Sequence, residues 1–330
     1  MPNGSERVVW MNGSLVPESE AKISIYDSAL MFGDMVFEMT RSFKKKQFKL
    51  REHLDRLYAG IKILRIPLTM TIEEMERHVF ETIDANEHLF GEDDEHRLMI
   101  DVSRGALGIY HGIRNIQKEP NVIIADFPLR WTVSSMGPLF DSGINAVIPS
   151  QRSIPASLLD PKVKNRSRIF YMMANIEVSQ RRGDNNWALL LDPDGYFTEG
   201  TGDNFFIVKN QQVFTPEGRN ILRGISRAYI FDLCKQVKLD CIEKNLEPYD
   251  VYTADEAFVT GTPFCALPVT SLNSIRIGDG KMGKVTSLLL KQWSTNVDVD
   301  IIAQIKNYST GPNQSGPSGP TPYSFNPKRP

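Results

Sequence analysis

Cysteine is scarce: Cys234, Cys241 and Cys265 are the only three in 330 residues. They form no Cys-x-x-Cys pair, and any single bridge would leave one thiol over, so neither a disulfide framework nor a thiolate metal site is expected. Long apolar runs are absent too, which excludes a membrane-spanning helix of ordinary length. The opening residues Met-Pro-Asn-Gly-Ser-Glu-Arg lack the apolar stretch of a signal peptide. An excess of positive charge is also missing. Thirty-eight basic residues stand against 40 acidic ones, for a net charge of −2. The one dense run, Lys44 to Lys46, falls in an expected hairpin turn, so no electrostatic nucleic-acid footprint is present. These absences predict a cytoplasmic protein with reduced thiols and neither membrane nor nucleic acid as partner. What remains, 41% hydrophobic and 24% charged residues, is ordinary for a globular chain long enough for two domains.

The local patterning alternates strands and helices. Val8 to Met11 and Ser14 to Val16 flank Asn12-Gly13, a two-residue hairpin signal because both turn positions need positive φ. Phe37 to Phe43 and Gln47 to Leu50 read as a second hairpin. Leu54, Leu57, Tyr58, Ile61 and Leu64 recur at helical spacing, with Arg56 off the stripe. Thr71 to Phe90 reads as a further helix closed by Gly91, and Arg97 to Ser103 and Asn121 to Phe127 as strands. Phe127 to Pro138 reads as a linker, which sets domains at 1–130 and 131–308. In the second, Ile144 to Pro149 reads as a strand. The spacing predicts a helix over Arg166 to Arg182, with Ile169, Met172, Met173 and Ile176 on one face. Trp187 to Leu191, Asn204 to Val208 and Glu256 to Thr260 read as strands, and Ile225 to Val237 and Lys284 to Trp293 as helices. Residues 309–330 are Gly/Pro/Ser-rich and read as a flexible tail, since they offer little to bury.

Three stretches carry chemistry. In Gly195-Tyr-Phe-Thr-Glu199-Gly-Thr-Gly-Asp-Asn204-Phe-Phe-Ile-Val208 a lone acid stands between a hairpin and a strand of four apolar residues. An acid in a Gly-rich turn is most often just a turn residue. At the mouth of a buried sheet, however, it needs a cationic partner, and a protonated pyridine nitrogen would be one. Lys164 precedes the amphipathic stretch that begins at Arg166. Such a lysine is usually solvated, and it becomes a nucleophile only when burial or nearby cations free its amine. Lys162, Arg166 and Arg168 supply positive charge there, with Lys162 the rival nucleophile. Leu222-Arg-Gly224-Ile225-Ser226-Arg227 opens a helix whose N–H groups and dipole suit a phosphate, although a serine there alone is only a cap. Thr262 and Arg56 would add donors.

Taken in order, these stretches resemble the class IV aminotransferases, the group containing branched-chain and D-amino-acid aminotransferases and aminodeoxychorismate lyase. The resemblance runs from about Val8 to Trp293. Its most specific part is Glu199-Gly-x-Gly-x-Asn204-Phe-Phe with a lysine about 35 residues upstream. Ala29-Leu-Met-Phe32-Gly-Asp34-x-Val-Phe-Glu38, Glu52-His53-x-x-Arg56-Leu57, Gly224-Ile225-Ser226-Arg227 and Thr260-Gly-Thr262-x-x-x-x-Leu-Pro-Val269 support it. The resemblance implies an α/β (α+β) fold of two domains, fold type IV, with pyridoxal 5'-phosphate at the domain interface, in a homodimer. It implies Lys164 as the Schiff-base and proton-carrying lysine and Glu199 as the partner of the pyridinium nitrogen. Arg56, Gly224, Ile225, Ser226 and Thr262 would bind the phosphate. Phe32, Arg97, His111 and Pro263 fall at substrate positions. Phe32 stands where the family often has tyrosine, and Pro263 lacks an N–H used for the carboxylate. Arg97 is open between carboxylate recognition and a strand-end ion pair. His111 matches the histidine of the D-amino-acid enzymes, but Ile109 replaces their arginine. Tyr171 is a candidate for the cofactor's phenolic oxygen. The implied reaction is transamination between a branched-chain type of amino acid and a 2-oxo acid. A lyase acting on aminodeoxychorismate, a D-amino-acid or amine transaminase, and a non-catalytic binding protein are the alternatives.

Overall fold

The computed structural model describes residues 6–310. Its contacts divide the chain into two compact units, Met1–Leu129 with Val163–Arg168, and Arg130–Lys162 with Ile169–Pro330. The short segment 163–168, which bears Lys164, therefore belongs with the first unit, although the linker reading placed it in the second domain.

The first unit contains β1 (Val8–Met11), β2 (Ser14–Pro17), α1 (Ser28–Phe32), β3 (Met35–Met39), β4 (Ser42–Phe43), β5 (Lys46–Gln47), α2 (Leu50–Leu64), α3 (Ile72–Asn86), β6 (His96–Ser103) and β7 (Val122–Pro128). Five strands form one sheet in the order β2-β1-β7-β6-β3. The expected first hairpin forms, with Asn12 and Gly13 both at positive φ. The second is smaller than expected. Only Ser42–Phe43 and Lys46–Gln47 pair with each other, because Met35–Met39 is taken up by β6 and Leu50 already starts α2. Lys44 and Lys45 adopt positive φ at that turn, and Glu95 accepts both of their N–H groups.

Strand alternation decides which face is buried. Trp10, Val36, Leu98, Ile100, Val102 and Ile124 point to one face and pack in a single core with Leu54, Leu57 and Ile61 of α2 and Met75, Val79 and Ile83 of α3. The start of α3 is secured by a capping box between Thr71 and Glu74, in which each side chain satisfies the other's exposed N–H. Phe37, Met39, Arg97, Met99 and Asp101 alternate with the core residues and lie on the opposite face.

The second unit contains α4 (Arg130–Val133), α5 (Leu139–Ser142), β8 (Ile144–Val147), α6 (Ile169–Ser179), β9 (Asn186–Leu191), β10 (Phe197–Gly200), β11 (Asn204–Lys209), β12 (Gln212–Thr215), α7 (Ile225–Gln236), β13 (Cys241–Glu243), α8 (Pro248–Tyr252), β14 (Glu256–Gly261), β15 (Cys265–Leu272), β16 (Ile275–Arg276), α9 (Lys284–Val297) and α10 (Ile301–Thr310). The sheet order is β10-β9-β8-β15-β14-β11-β12-β13, and β10 also pairs with β11, closing six strands into a ring. Phe206 and Phe258 stack across β11 and β14 with ring centroids 4.9 Å apart.

Two expectations change here. The helix expected over 166–182 is only Ile169–Ser179, because Lys164 and Asn165 are held against β3, Arg166 reaches Asp101 of β6 and Ser167 is held to the Phe32 carbonyl of α1. It buries Tyr171, Ala174 and Val178, while Ile169 and Met173 of the expected apolar stripe are 73% and 52% exposed. The tail was expected from residue 309, but Ser309 and Thr310 are the last residues of α10; the rest of that stretch, from residue 311, lies outside the described residues.

Candidate active site

Within the first unit, the segment carrying Lys164 is fastened along the edge of β3. The Phe37 N–H donates to the Lys164 carbonyl at 2.9 Å, and Val36 and Asn165 form an antiparallel bridge. The Ser167 hydroxyl donates to the Phe32 carbonyl at 2.8 Å, and Val163 enters the core. The approach to α1 is close enough that a Cβ on Gly33, which has φ of 66°, would meet Ser167 Oγ at 2.5 Å. Lys164 Nζ stands 4.8 Å from the centroid of the Phe37 ring. Lys162, in contrast, is engaged within the second unit. Its Nζ pairs with Asp160 at 2.8 Å and donates to the Arg219 carbonyl at 3.0 Å. The structure therefore separates the two candidate lysines.

Arg56 reaches from α2 to Glu38 of β3, Nε to Oε1 at 2.6 Å and Nη2 to Oε2 at 2.8 Å. Glu38 is fully buried and also meets His53 Nδ1 at 2.7 Å. Burial alone would raise the Glu38 carboxyl, but Arg56 and His53 outweigh it and hold it well below the usual range. His53 is pushed down, first by burial and then by the charges of Arg56 and Lys164, with Glu38 opposing. Arg56 is thereby fixed in orientation by a buried carboxylate.

Arg97, on β6, is 7% exposed. Its Nε and Nη1 have no hydrogen-bond partner, and Nη2 lies 3.6 Å from Met39 Sδ. Burial, with the charge of Arg41 added, pushes it down to about 10. A strand-end ion pair is therefore not its role among the described residues, because an unpaired buried guanidinium calls for an anion. Phe32 closes α1 with 64% of its surface exposed. His111 Nε2 lies 3.0 Å from the Ala106 carbonyl, and Ile109 is 80% exposed.

In the second unit, Glu199 lies within β10, which is buried along its length, and is 5% exposed. Three donors converge on its carboxylate: Tyr171 Oη to Oε1 at 2.7 Å, and Asn204 Nδ2 and the Leu222 N–H to Oε2 at 3.1 and 3.0 Å. Such donors stabilise an ionised carboxylate. Neighbouring Asp203 is pushed up to about 8 by burial and by the Glu199 charge. Asn204 Nδ2 also donates to the Leu222 carbonyl at 2.9 Å, tying the acid to the loop that leads into α7. That helix starts at Gly224, which makes no side-chain cap hydrogen bond. A Cβ at Gly224 would meet Asn204 Oδ1 at 2.1 Å. Ser226 is buried in the first turn, whereas Arg227 is spent on Glu243 and the Pro216 carbonyl. Thr262 and Pro263 follow β14, whose Thr260 is the register partner of Asn204.

The structure thus groups Lys164 with Arg56, Arg97 and Phe32 in one unit, and Glu199 with Gly224, Ile225, Ser226, Thr262 and Pro263 in the other. The Tyr171 hydroxyl, a candidate for the cofactor's phenolic oxygen, donates here to Glu199 Oε1. The function of Asn204 as a clamp was legible only as a motif letter. A held carboxylate together with a helix start free of side-chain capping fits a cationic ring carrying a phosphate. Among the described residues no cluster of His, Cys, Asp and Glu suits a metal ion, and no helix is long and apolar enough to cross a membrane.

Comparison with known proteins bears on this geometry. The amino-transferase class IV family model matches residues 35–272. A Methanocaldococcus jannaschii protein assigned as a branched-chain-amino-acid aminotransferase is 36% identical over 287 residues, covering 86% of this chain and 94% of its own. The crystal structure of Escherichia coli branched-chain amino acid aminotransferase superimposes with a TM-score of 0.77 at 28% identity, over 87% of this chain and 93% of that one. A second branched-chain amino acid aminotransferase, solved in complex with N-(5'-phosphopyridoxyl)-L-glutamate, gives a TM-score of 0.76 at 27% identity, over 92% and 96%.

Proposed function

The chain belongs to the class IV aminotransferase family, and from that premise we propose that it is a pyridoxal-phosphate transaminase exchanging an amino group between a branched-chain amino acid and a 2-oxo acid. The observation that carries this reading is the buried Glu199 carboxylate, fixed by Tyr171, Asn204 and the Leu222 N–H beside the start of α7. When bound, pyridoxal phosphate supplies an aldehyde carbon that accepts the amino group and a protonated ring that draws electrons from Cα. Glu199 keeps the ring nitrogen protonated. The Ile225 and Ser226 N–H groups, the Ser226 hydroxyl, Gly224 (which leaves room for the anion), Thr262 and Arg56 hold the phosphate. Lys164 would hold the cofactor, and its amine would stand ready to take the proton from substrate Cα. Arg97 supplies the guanidinium for a substrate carboxylate, a role that Pro263, without an N–H, cannot share. Phe32 and His111 would contribute to substrate recognition from the first unit.

The working form is a homodimer. The first unit exposes Ile25, Leu30, Phe32 and Ile109 at 69%, 64%, 64% and 80%, and their two segments are joined by the Asp27–Ala106 bridge and the Tyr26–Tyr110 ring contact. An exposed apolar surface of this kind is buried most economically against a second copy. The three cysteines are reduced thiols, which suits the cytoplasm.

A panel of L- and D-amino acids and simple amines, each with 2-oxoglutarate or pyruvate, tests the reaction. L-branched-chain donors are expected to turn over only with an added oxo acid. Turnover without one would identify a lyase, and exclusive use of D-amino acids or amines would overturn the branched-chain assignment. Borohydride reduction and peptide mapping should label Lys164 rather than Lys162.

A further inference from the structure

The ring of Phe37 gathers three cations. Arg166 Cζ lies 3.6 Å from its centroid, Lys164 Nζ 4.8 Å and Arg168 Cζ 5.3 Å. The Lys164 amine and the Arg166 guanidinium are therefore no further apart than the sum of their two distances to that ring. Arg166 is held in place from β6: Nη2 bonds Asp101 Oδ1 at 3.0 Å and lies 3.3 Å from Met99 Sδ. Asp101 is the register partner of Phe37, so one pair of strands sets both the platform and the anchor. Arg168 is turned back to its own segment, Nε donating to the Asn165 carbonyl at 2.7 Å.

We propose that Arg166, stacked on Phe37 and anchored by Asp101, is a positioning residue whose charge increases the uncharged, nucleophilic fraction of the Lys164 amine. The inference rests on Lys164 being the cofactor-binding lysine. The physical cause is like-charge repulsion: a guanidinium sharing the same ring platform raises the cost of the ammonium relative to the amine. Its proton is released to solvent, leaving the lone pair that attacks a carbonyl carbon. Other charged groups of this unit around Lys164 are the Glu38, His53 and Arg56 cluster, which His53 joins to it, Asp101 from β6, and Arg168. Glu38 is occupied by Arg56 and His53 on the core side of β3. Asp101 is the carboxylate that opposes Arg166, and its own carboxyl is raised by burial while Arg166 resists that rise. Because the Arg166 side chain is 36% exposed, solvent weakens the repulsion, and a shift on the order of half a pH unit is expected.

The test is the pH dependence of acylation at Lys164 in the full chain stripped of cofactor, read by peptide mass with Lys162 as reference, and the pH titration of the coloured holoenzyme's absorption. Arg166→Gln should raise both midpoints by about half a unit. Asp101→Asn should lower them, because it removes a compensating negative charge, and Arg166→Lys should stay near the parent. The raised midpoint of Arg166→Gln should shrink toward the parent's at high salt. A merely structural role would move the Gln and Asn variants in the same direction, and that result, or no movement with Arg166→Gln, overturns the proposal. Borohydride labelling separates the two failures. Label on Lys162 refutes the lysine assignment itself, whereas label on Lys164 with unmoved midpoints refutes only the part assigned to Arg166.

Discussion

Tyr171 shows how a single hydroxyl can set the chemistry of a buried acid. It supplies the shortest of the three hydrogen bonds to Glu199, and hydrogen bonds to charged groups contribute about 1.5–3 kcal/mol. Tyr171→Phe is therefore expected to lower kcat/KM about tenfold or more while leaving the ring in place in the core, measured by steady-state kinetics alongside thermal unfolding. An unchanged kcat/KM would mean that Asn204 and the Leu222 N–H suffice. Glu38 makes the complementary case for stability. Removing one member of a buried charged cluster costs about 3–5 kcal/mol, so Glu38→Gln should cost that much in urea unfolding at pH 7. The sign of its pH dependence follows from the depressed carboxyl. In the unfolded chain the group titrates near 4.3, so its contribution is complete above that pH and disappears as pH falls toward the lower folded value. The parent should lose stability steeply in acid, and the Gln variant should show a shallower slope.

At the scale of elements, the start of α7 and the extended run 163–168 determine where the functional groups stand. Gly224 lets the first turn of α7 approach Asn204, and a Cβ there would have to displace the amide that holds Glu199. Gly224→Ala should therefore weaken pyridoxal-phosphate binding well beyond Ser226→Ala, which removes only a hydroxyl and should cost about tenfold or less; fluorescence titration of the cofactor would rank them, and the reverse order would refute the clamp. The helix stripe at Ile169, Met172, Met173 and Ile176 illustrates the limit of periodicity. Apolar spacing announced a helix, yet the side buried against β9 is that of Tyr171, Ala174 and Val178. Periodicity identifies an apolar face but not which neighbour will cover it.

For the whole molecule, self-association can be tested on the exposed apolar surface of the first unit. Ile109→Asp, at a site 80% exposed, should leave the fold intact because its side chain supports no core. It should weaken a dimer by about tenfold or more if that surface is buried between copies, as read by sedimentation at several concentrations. A dimer indifferent to this change, and to Ile25→Asp, would place the interface elsewhere.

The α/β character and most element positions were legible along the chain, because they depend on local physics (alternation, helical spacing and turn residues), whereas the site residues were legible through the resemblance that the Glu199-to-Asn204 motif carries. Lys164 was favoured over Lys162 because its spacing to Gly183 and Glu199 fits the family that the sequence resembles. Other properties arise only when distant segments meet. The pairing of Lys164 and Asn165 with β3, the three donors on Glu199 and the Glu38 clasp on Arg56 each join positions far apart in sequence. Hydrogen bonds and charges act through space, so their partners are chosen by the tertiary packing rather than by neighbours along the chain.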